Sequence, residues 1–372
     1  MAGSPRPTSS ADFVIVGIVV VLTIFGLTML TSASSDLGLS KFGDSYYYLK
    51  NQLLHGLTFG LAGFLVTAFT YYRRWEKLAL PFFLLALVML LLLFSPLGLL
   101  TKGATRWLDL GFISFQPAEI LKLAFVLYIA AWLAKNEKRG KSLSEGFLPF
   151  IILVGIVTFL ILKQPSTTTA FLIAASAFCM YFAAGAKIRF FVGAILVTVI
   201  ALLVAAYTLP EDNYRIMRIR TFLEPETADV LSTGYQVEKT TLAIGSGGIW
   251  GVGYGNSVSK LKQLPEQIGD SIFAVIAEEF GFVGSGLLIF AFGFLVLRCI
   301  NMTRKVPDAF GRFLVIGFAS LIGFQAFVNI GAVSGLIPFT GVPLPFISFG
   351  GTALAVFLTM SGIIVNVSRY RR

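Results

Sequence analysis

Residues 78–100 read LALPFFLLALVMLLLLFSPLGLL, and no charged side chain interrupts them. A membrane-spanning helix needs roughly 20 predominantly apolar residues, so this stretch is long enough to cross a bilayer. Similar apolar runs recur along the chain at 13–33, 52–72, 119–134, 147–163, 168–185, 189–209, 271–299, 313–337 and 350–367. The pattern predicts an all-α integral membrane protein of about ten transmembrane helices.

The composition supports this fold class and argues against several kinds of site. The chain has 372 residues, of which 56% are hydrophobic and 13% charged, against roughly 25% charged in soluble domains. Its two cysteines, Cys179 and Cys299, lie in or at the end of apolar runs, and His55 is its one histidine. A disulfide framework, a histidine-ligated metal and a Ser-His-Asp hydrolase are therefore not expected.

The net charge is +10, and the distribution of the basic residues is typical of a membrane protein rather than of a nucleic-acid-binding site. Basic residues are concentrated in alternate short connections between apolar runs, namely Arg73, Arg74, Lys77, Lys135, Lys138, Arg139, Lys141, Lys187, Arg189, Arg304, Lys305 and Arg312. By the positive-inside rule, these connections and both termini are cytoplasmic, and no nucleic-acid partner is expected. We expect a disordered cytoplasmic tail at 1–12, a single transmembrane domain at 13–368 and a cytoplasmic tail at 369–372.

The long polar connection at 210–270, before the eighth predicted helix, lies on the external side in this topology. Loops of this length are uncommon unless they have a function. Its basic residues, which stand among many acids, are Arg215, Arg218, Arg220, Lys239, Lys260 and Lys262. Its glycine run, Gly245 to Gly255, does not match a dinucleotide-binding motif; it predicts either a tightly turning loop or a backbone that approaches a sugar or diphosphate.

Two pairs of charged residues fall inside predicted spans, where each charge is expensive to bury. Glu119 and Lys122 open the fourth span three residues apart, so they share one helix face. They are either a structural ion pair or part of a cavity lining. Glu278 and Glu279 lie two turns into the eighth span, roughly 12 Å below Asp270. They need partners, and Lys122 is one possibility.

Asp270 stands at the junction between the long connection and the eighth helix. One interpretation is a helix N-cap, for which Asp is well suited. The other is a carboxylate at the membrane boundary, facing a cavity, which suits a general base or a ligand for a divalent cation.

The segment 341–351, GVPLPFISFGG, precedes the last predicted helix. Its two prolines and its glycines argue against a continuous helix. Irregular backbone at membrane depth is tolerated where it is buried in protein or lines a cavity. The segment is therefore either a re-entrant, wall-forming element or a plain tight turn.

Blocks of sequence spread over nearly the whole chain resemble the SEDS family (shape, elongation, division and sporulation), which includes FtsW, RodA and their sporulation relatives. The blocks are Thr31-Ser32-Ala33-Ser34, the stretch 103–122 with Arg106-Trp107 and Phe115-Gln116-Pro117-Ala118-Glu119, the stretch 218–225, Gly234-Tyr235-Gln236, Leu264-Pro265-Glu266 with Asp270, Phe273-Ala274, Glu278-Glu279 and Gly281, the stretch 343–351, and Asn366-Val367-Ser368-Arg369. The FtsW branch fits best, chiefly from residues 31–34 and 46–52.

The resemblance implies a ten-helix peptidoglycan glycosyltransferase of the bacterial cytoplasmic membrane, acting on lipid II in cell division or elongation. It implies that Asp270 is the essential acid and that Glu119 and Lys122 are the charged pair of the fourth helix. The implied partners are a class B penicillin-binding protein, other membrane proteins of division or elongation, and membrane lipid.

Two stretches depart from the family pattern. The family has Pro-Asp-x-Gly-Thr after the fifth helix, whereas residues 164–169 read QPSTTT. A catalytic role for that loop is in doubt without the carboxylate. The family also has a Gln-Ser pair where residues 237–240 read VEKT, so contacts there are expected to differ.

A mechanism follows from these parts. A sugar hydroxyl is a poor nucleophile, so Asp270 is expected to act as its base. The departing polyprenyl diphosphate needs positive charge, either from a divalent cation (Mg²⁺ or Mn²⁺) held by Asp270 or from basic side chains. The expected substrate-binding residues are Arg215, Arg218, Arg220, Lys260, Lys262, Glu119, Lys122, Gln236 and Ser348.

Two other functions remain open on the sequence. A lipid II flippase would use the intramembrane charges and need access from both leaflets. A non-catalytic scaffold for the partner transpeptidase would need no acid at the outer face. Asp270 and the long external loop are the features that discriminate among the three.

Overall fold

The computed structural model describes residues 7–101, 104–109, 111, 114–190, 192–193, 218, 222, 233–261 and 264–371. Among these residues, eight helices are long and apolar enough to cross a membrane: α1 (Phe13–Phe42), α2 (Tyr47–Phe69), α3 (Arg73–Leu92), α4 (Pro117–Ala134), α5 (Leu143–Leu162), α8 (Ile272–Thr303), α9 (Ala309–Val333) and α10 (Gly351–Ser368). Between α5 and α8 lie a shorter apolar helix, α6 (Thr167–Ala183), and a more polar one, α7 (Thr233–Ser246). The most enclosed helices are α4, α9 and α10, which form the centre of the bundle.

Eight of the predicted spans correspond to these long helices, and a ninth, 168–185, corresponds to the shorter apolar helix α6, which confirms the helical membrane architecture. The remaining span, 189–209, lies mostly outside the described residues. On one side of it, Ala184 packs against Gly140, beyond the end of α4. On the other side, Gln236 of α7 contacts Ser271 at the opposite end of the bundle. These two described flanks therefore lie at opposite ends of the bundle.

Helix boundaries differ from the predicted ones where local signals outweigh hydropathy. The third span was predicted at 78–100, but α3 begins at Arg73 and ends at Leu92. The ninth was predicted at 313–337, but α9 begins after Asp308, whose carboxylate accepts the backbone N–H of Gly311 at 2.9 Å. Such a cap fixes a helix start more sharply than hydrophobicity does.

A small antiparallel sheet corrects the all-α prediction. Its strands are β1 (Gly98–Thr101), β2 (Ala104–Asp109) and β3 (Ser114–Phe115), in the order β1-β2-β3. Arg106 of β2 donates hydrogen bonds to the carbonyls of Gln164 and Pro165, so the sheet covers the connection between α5 and α6. The burial along β2 does not alternate and β3 has only two residues, so the period-2 signal of a strand is missing from the sequence.

The two chain termini lie together at one end of the bundle, here called the terminal end. Thr8 and Ser9 both donate their N–H groups to the carbonyl of Arg369 at 3.0 Å. Asp12 is 2% exposed and accepts hydrogen bonds from Arg298 and Arg371. Burial opposes ionisation of Asp12, but the two guanidinium groups outweigh it and hold the pKa of this carboxyl below its ordinary value. The described parts of both predicted tails are thus packed against each other.

The turn before α8 lies at the other end, here called the Asp270 end. Gln267 donates to the carbonyl of Ala33 at 2.8 Å. Ala33 is 21 residues beyond Asp12 on one helix, which is about 30 Å of helix length.

The glycine-rich loop is built into a break in α8. Gly281 has φ 64° and ψ −164°, which are not helical values. Phe282 donates its N–H to the carbonyl of Gly248 at 2.9 Å, and Val252 donates its N–H to the carbonyl of Glu278 at 3.0 Å. The loop therefore packs against a helix, which favours the tightly turning interpretation of the glycine run.

Candidate active site

Asp270 lies in the turn 264–271 at the Asp270 end, and it is partly exposed. The N-cap residue of α8 is Ser271, so the structure does not favour Asp270 as a cap. Its carboxylate points toward Gly341, because a Cβ atom built on that glycine would lie 3.1 Å from Asp270 Oδ2. The carboxylate therefore stands between the start of α8 and the segment that precedes α10.

The turn that carries Asp270 is held by several elements. Gln236 of α7 donates to the carbonyl of Pro265 at 3.4 Å and to the Ser271 hydroxyl at 3.2 Å. Ser348 donates its hydroxyl to the carbonyl of Gly269 at 2.7 Å. With the bond from Gln267 to α1, these contacts fix the turn relative to three parts of the fold. Gln236 and Ser348 were predicted to bind substrate; here the Nε2 of Gln236 and the hydroxyl of Ser348 hold the turn.

Residues 341–350, here called the wall segment, descend into the bundle as irregular backbone. Phe346 has φ 64°, and its carbonyl would lie 2.5 Å from a Cβ atom on Gly26 of α1. Gly26 is seven residues deeper along α1 than Ala33, which the Asp270 turn contacts; this is about 10 Å. The wall segment thus reaches below the turn, which favours the re-entrant interpretation over a plain tight turn.

Glu119 and Lys122 form a buried ion pair at the start of α4. Lys122 Nζ lies 2.6 Å from Glu119 Oε2, and both side chains are almost fully enclosed. Lys122 also donates to Gln325 Oε1 of α9 at 2.7 Å. This confirms the structural ion pair and gives neither side chain an open surface.

The two acids of α8 have partners in the preceding loop. Glu279 pairs with Lys260, whose Nζ lies 2.9 Å from Oε1, and it accepts the Ser32 hydroxyl at 2.6 Å. Glu278 accepts the Ser257 hydroxyl at 2.6 Å. The alternative partner Lys122 is therefore wrong for both acids, because its ammonium is committed to α4 and α9.

Lys260 was predicted to bind the diphosphate, but its ammonium is already engaged. Besides Glu279, it donates to the Ser32 hydroxyl at 2.8 Å and to the carbonyl of Gly255 at 2.7 Å. The residue is 6% exposed. The structure thus gives Lys260 the role of anchoring the loop to α1 and α8.

Of the other predicted phosphate-binding residues, Arg215, Arg220 and Lys262 lie outside the described residues. Arg218 is described and partly exposed. Among the described side chains, no group of three or more His, Cys, Asp or Glu residues is arranged to hold a metal. Mg²⁺ is commonly held by one or two carboxylates together with substrate phosphates, so Asp270 with a diphosphate is a compatible donor set.

A cavity of about 300 Å³ opens beside the Asp270 turn. It lies between the Asp270 end of α1, the start of α2 and the turn itself, with Asp36, Lys41, Tyr48 and Glu266 among its lining residues. The cavity shows that this face of the turn is accessible from the Asp270 end.

Sequence reasoning missed two buried amides, Gln325 and Asn329 on α9. Both are fully enclosed, and both donate to the wall segment. Their signal was present in the sequence, since two amides four residues apart in an apolar run share one helix face.

Known proteins of one family match this chain over nearly its whole length. The family model FtsW/RodA/SpoVE, described as "Cell cycle protein", matches residues 12–372. A protein of Geobacter sp. (strain M18) named "Probable peptidoglycan glycosyltransferase FtsW" is 38% identical over 368 residues, covering 99% of each chain. Stage V sporulation protein E of Bacillus subtilis (strain 168) is 37% identical and covers 98% of each chain.

Solved structures show the same fold. A chain from the work "Structural coordination of polymerization and crosslinking by a peptidoglycan synthase complex" matches with a TM-score of 0.81 and 26% identity, covering 97% of this chain and 99% of that one. The crystal structure of the rod shape determining protein RodA of Thermus thermophilus matches with a TM-score of 0.70 and 28% identity, covering 97% of each chain.

Proposed function

Because the chain belongs to the FtsW, RodA and SpoVE family, we propose that it polymerises lipid II into glycan strands at the outer face of the bacterial cytoplasmic membrane. The observation that carries the proposal is the placement of Asp270. A partly exposed carboxylate stands on a braced turn, at the end of the bundle opposite the termini. A scaffold needs no such acid, and a flippase has no use for a base confined to one end.

In the proposed reaction, a sugar hydroxyl of one lipid II attacks the anomeric carbon of another glycan unit. A new carbon–oxygen bond forms as the bond to the polyprenyl diphosphate breaks, so one displacement inverts the anomeric centre. Asp270 accepts the hydroxyl proton, which contributes about 10²–10⁴-fold to the rate. Both substrates are anchored by lipid tails, which keeps their head groups at one depth and lowers the entropic cost of their meeting.

The leaving diphosphate requires positive charge. We propose that Arg218, with Arg215, Arg220 and Lys262, supplies part of it. A divalent cation held by Asp270 and the diphosphate would neutralise further charge. The ammonium groups of Lys122 and Lys260 are held in buried ion pairs, so we do not assign them to the leaving group.

The orientation and partners follow from the same premise. With both termini cytoplasmic, the Asp270 end faces outward, as positive-inside asymmetry requires. The proposed partner is a class B penicillin-binding protein, supported by the similarity to a chain of a peptidoglycan synthase complex. Relatives named FtsW favour a role in cell division.

The proposal is tested with Asp270→Asn in the full-length protein, purified in lipid nanodiscs with its transpeptidase partner and supplied with labelled lipid II. Asn removes the charge with little change of shape, so we expect polymerisation to fall at least about 10²-fold. Asp44→Asn is the matched control, because Asp44 is also partly exposed near the same end, and Lys50 is its ion partner among the described residues. Near wild-type polymerisation by Asp270→Asn at equal protein amount would reject the proposed mechanism.

A further inference from the structure

Two buried amides of α9 stand behind the proposed catalytic turn. Gln325 and Asn329 are four residues apart and fully enclosed. Burying an amide in an apolar helix bundle is costly unless its hydrogen bonds are made. Their partners therefore indicate what these residues stabilise.

All the donated bonds of these amides go to backbone carbonyls at the site. Gln325 Nε2 donates to Pro343 O at 2.8 Å, and Asn329 Nδ2 donates to Val342 O at 2.8 Å. Asn329 Nδ2 also donates to Asp270 O at 2.8 Å. One side chain thus joins the wall segment to the backbone of the proposed base.

The orientation of the Gln325 amide is set from the other side. Lys122 Nζ donates to Gln325 Oε1 at 2.7 Å, and Glu119 holds that ammonium. The oxygen of the amide must therefore face α4, which leaves its NH₂ group facing the wall segment.

We propose that Asn329 and Gln325 are positioning residues for glycan polymerisation. They fix the position of Asp270 relative to the wall segment, and neither touches the substrate. The inference rests on the proposed function. A base that shifts by about 1 Å from its reactive geometry can cost about 10²-fold in rate.

Asn366 provides a matched control of the same residue type. It is 1% exposed on α10, donates to the Ala68 carbonyl at 2.7 Å and accepts the Tyr72 N–H at 2.9 Å. These contacts lie at the terminal end. Asn366→Ala therefore removes a comparable buried brace far from Asp270.

The test compares Asn329→Ala with Asn366→Ala in the full-length protein in nanodiscs with its partner. We expect kcat to fall about 10- to 100-fold in Asn329→Ala with little change in KM. Asn366→Ala should keep the wild-type kcat, although both variants lose stability. Equal kcat values in the two variants would overturn the proposal, as would a rise in KM at constant kcat, which would mean that Asn329 binds substrate.

Hydrogen exchange gives a second readout that does not depend on activity. Backbone amides of 341–350 and 264–271 should exchange faster in Asn329→Ala and unchanged in Asn366→Ala. Unchanged exchange in both variants would overturn the positioning role of Asn329. A wild-type protein that fails to polymerise lipid II would instead reject the proposed function. If Asn329→Ala does not fold, the same measurements are made on Gln325→Glu. This variant keeps an oxygen that accepts from Lys122 and loses the N–H group that donates to Pro343. We expect the same fall in kcat.

Discussion

The variant Lys260→Met tests whether the Lys260 ammonium stabilises the fold or binds the substrate. In the ion pair, the Lys260 side chain is 7% exposed and that of Glu279 is 0% exposed. Removing one partner of a buried pair typically costs about 3–5 kcal/mol, because the remaining charge is left uncompensated. Here Glu279 keeps the hydrogen bond from Ser32, so we expect the lower end of that range, about 3 kcal/mol.

The double variant Lys260→Met/Glu279→Gln removes both charges. We expect it to be more stable than Lys260→Met alone, with a coupling energy of about 2 kcal/mol. The assay is equilibrium unfolding of the full-length protein in mixed micelles with increasing SDS. Lys41→Met is the control, since Lys41 is exposed at the same end and its loss should change stability by less than about 0.5 kcal/mol. If Lys260→Met matched Lys41→Met in stability but raised KM for lipid II, the anchoring role would be refuted.

Further predictions concern the ion pairs, one close contact and the topology. Glu119→Gln and Lys122→Met should be non-additive in a double-mutant cycle on stability; additivity within about 0.5 kcal/mol would show that the charges are independent. Because the pKa of Asp12 is depressed below its ordinary 3.8, its contribution is full above that pH and is lost as pH falls through the folded-state value. The stability difference between wild type and Asp12→Asn should therefore be constant near neutral pH and close in acid, whereas a difference that grew in acid would contradict this sign. Gly26→Ala should cost about 1–3 kcal/mol by overpacking in thermal unfolding, since its Cβ would lie 2.5 Å from a wall-segment carbonyl; an unchanged melting temperature would mean that the segment yields. Lys138→Cys, in a background without the native cysteines, should resist an impermeant thiol reagent in intact cells; strong labelling there would reverse the topology.

Long apolar runs made the helices predictable, because in a bilayer every backbone group must be bonded within the segment. Boundaries were less predictable. The start of α9 depends on the cap at Asp308, and hydropathy does not register a cap. The sheet at 98–115 was missed because its short strands are stabilised by Arg106 contacting a distant connection.

At the site, the sequence located the important segments but not all the partners. Asp270 and the wall segment stood out, one through its position and the resemblance, the other through its prolines. The sequence left the partner of Glu279 open, with Lys122 as one possibility, because the actual partner Lys260 belongs to a loop that meets α8 only in the folded structure. Spacing along one helix predicted the pair Glu119–Lys122 correctly, since it is a local contact.

The break in α8 makes this helix and the glycine-rich loop depend on each other. The N–H of Phe282 donates to the loop carbonyl of Gly248, and the loop N–H of Val252 donates to the helix carbonyl of Glu278. A regular helix would use these backbone groups itself, so the loop can bond to α8 only while the break at Gly281 is kept. Because this loop joins α7 to the turn that carries Asp270, a change at Gly281 is expected to reach the Asp270 turn through the chain.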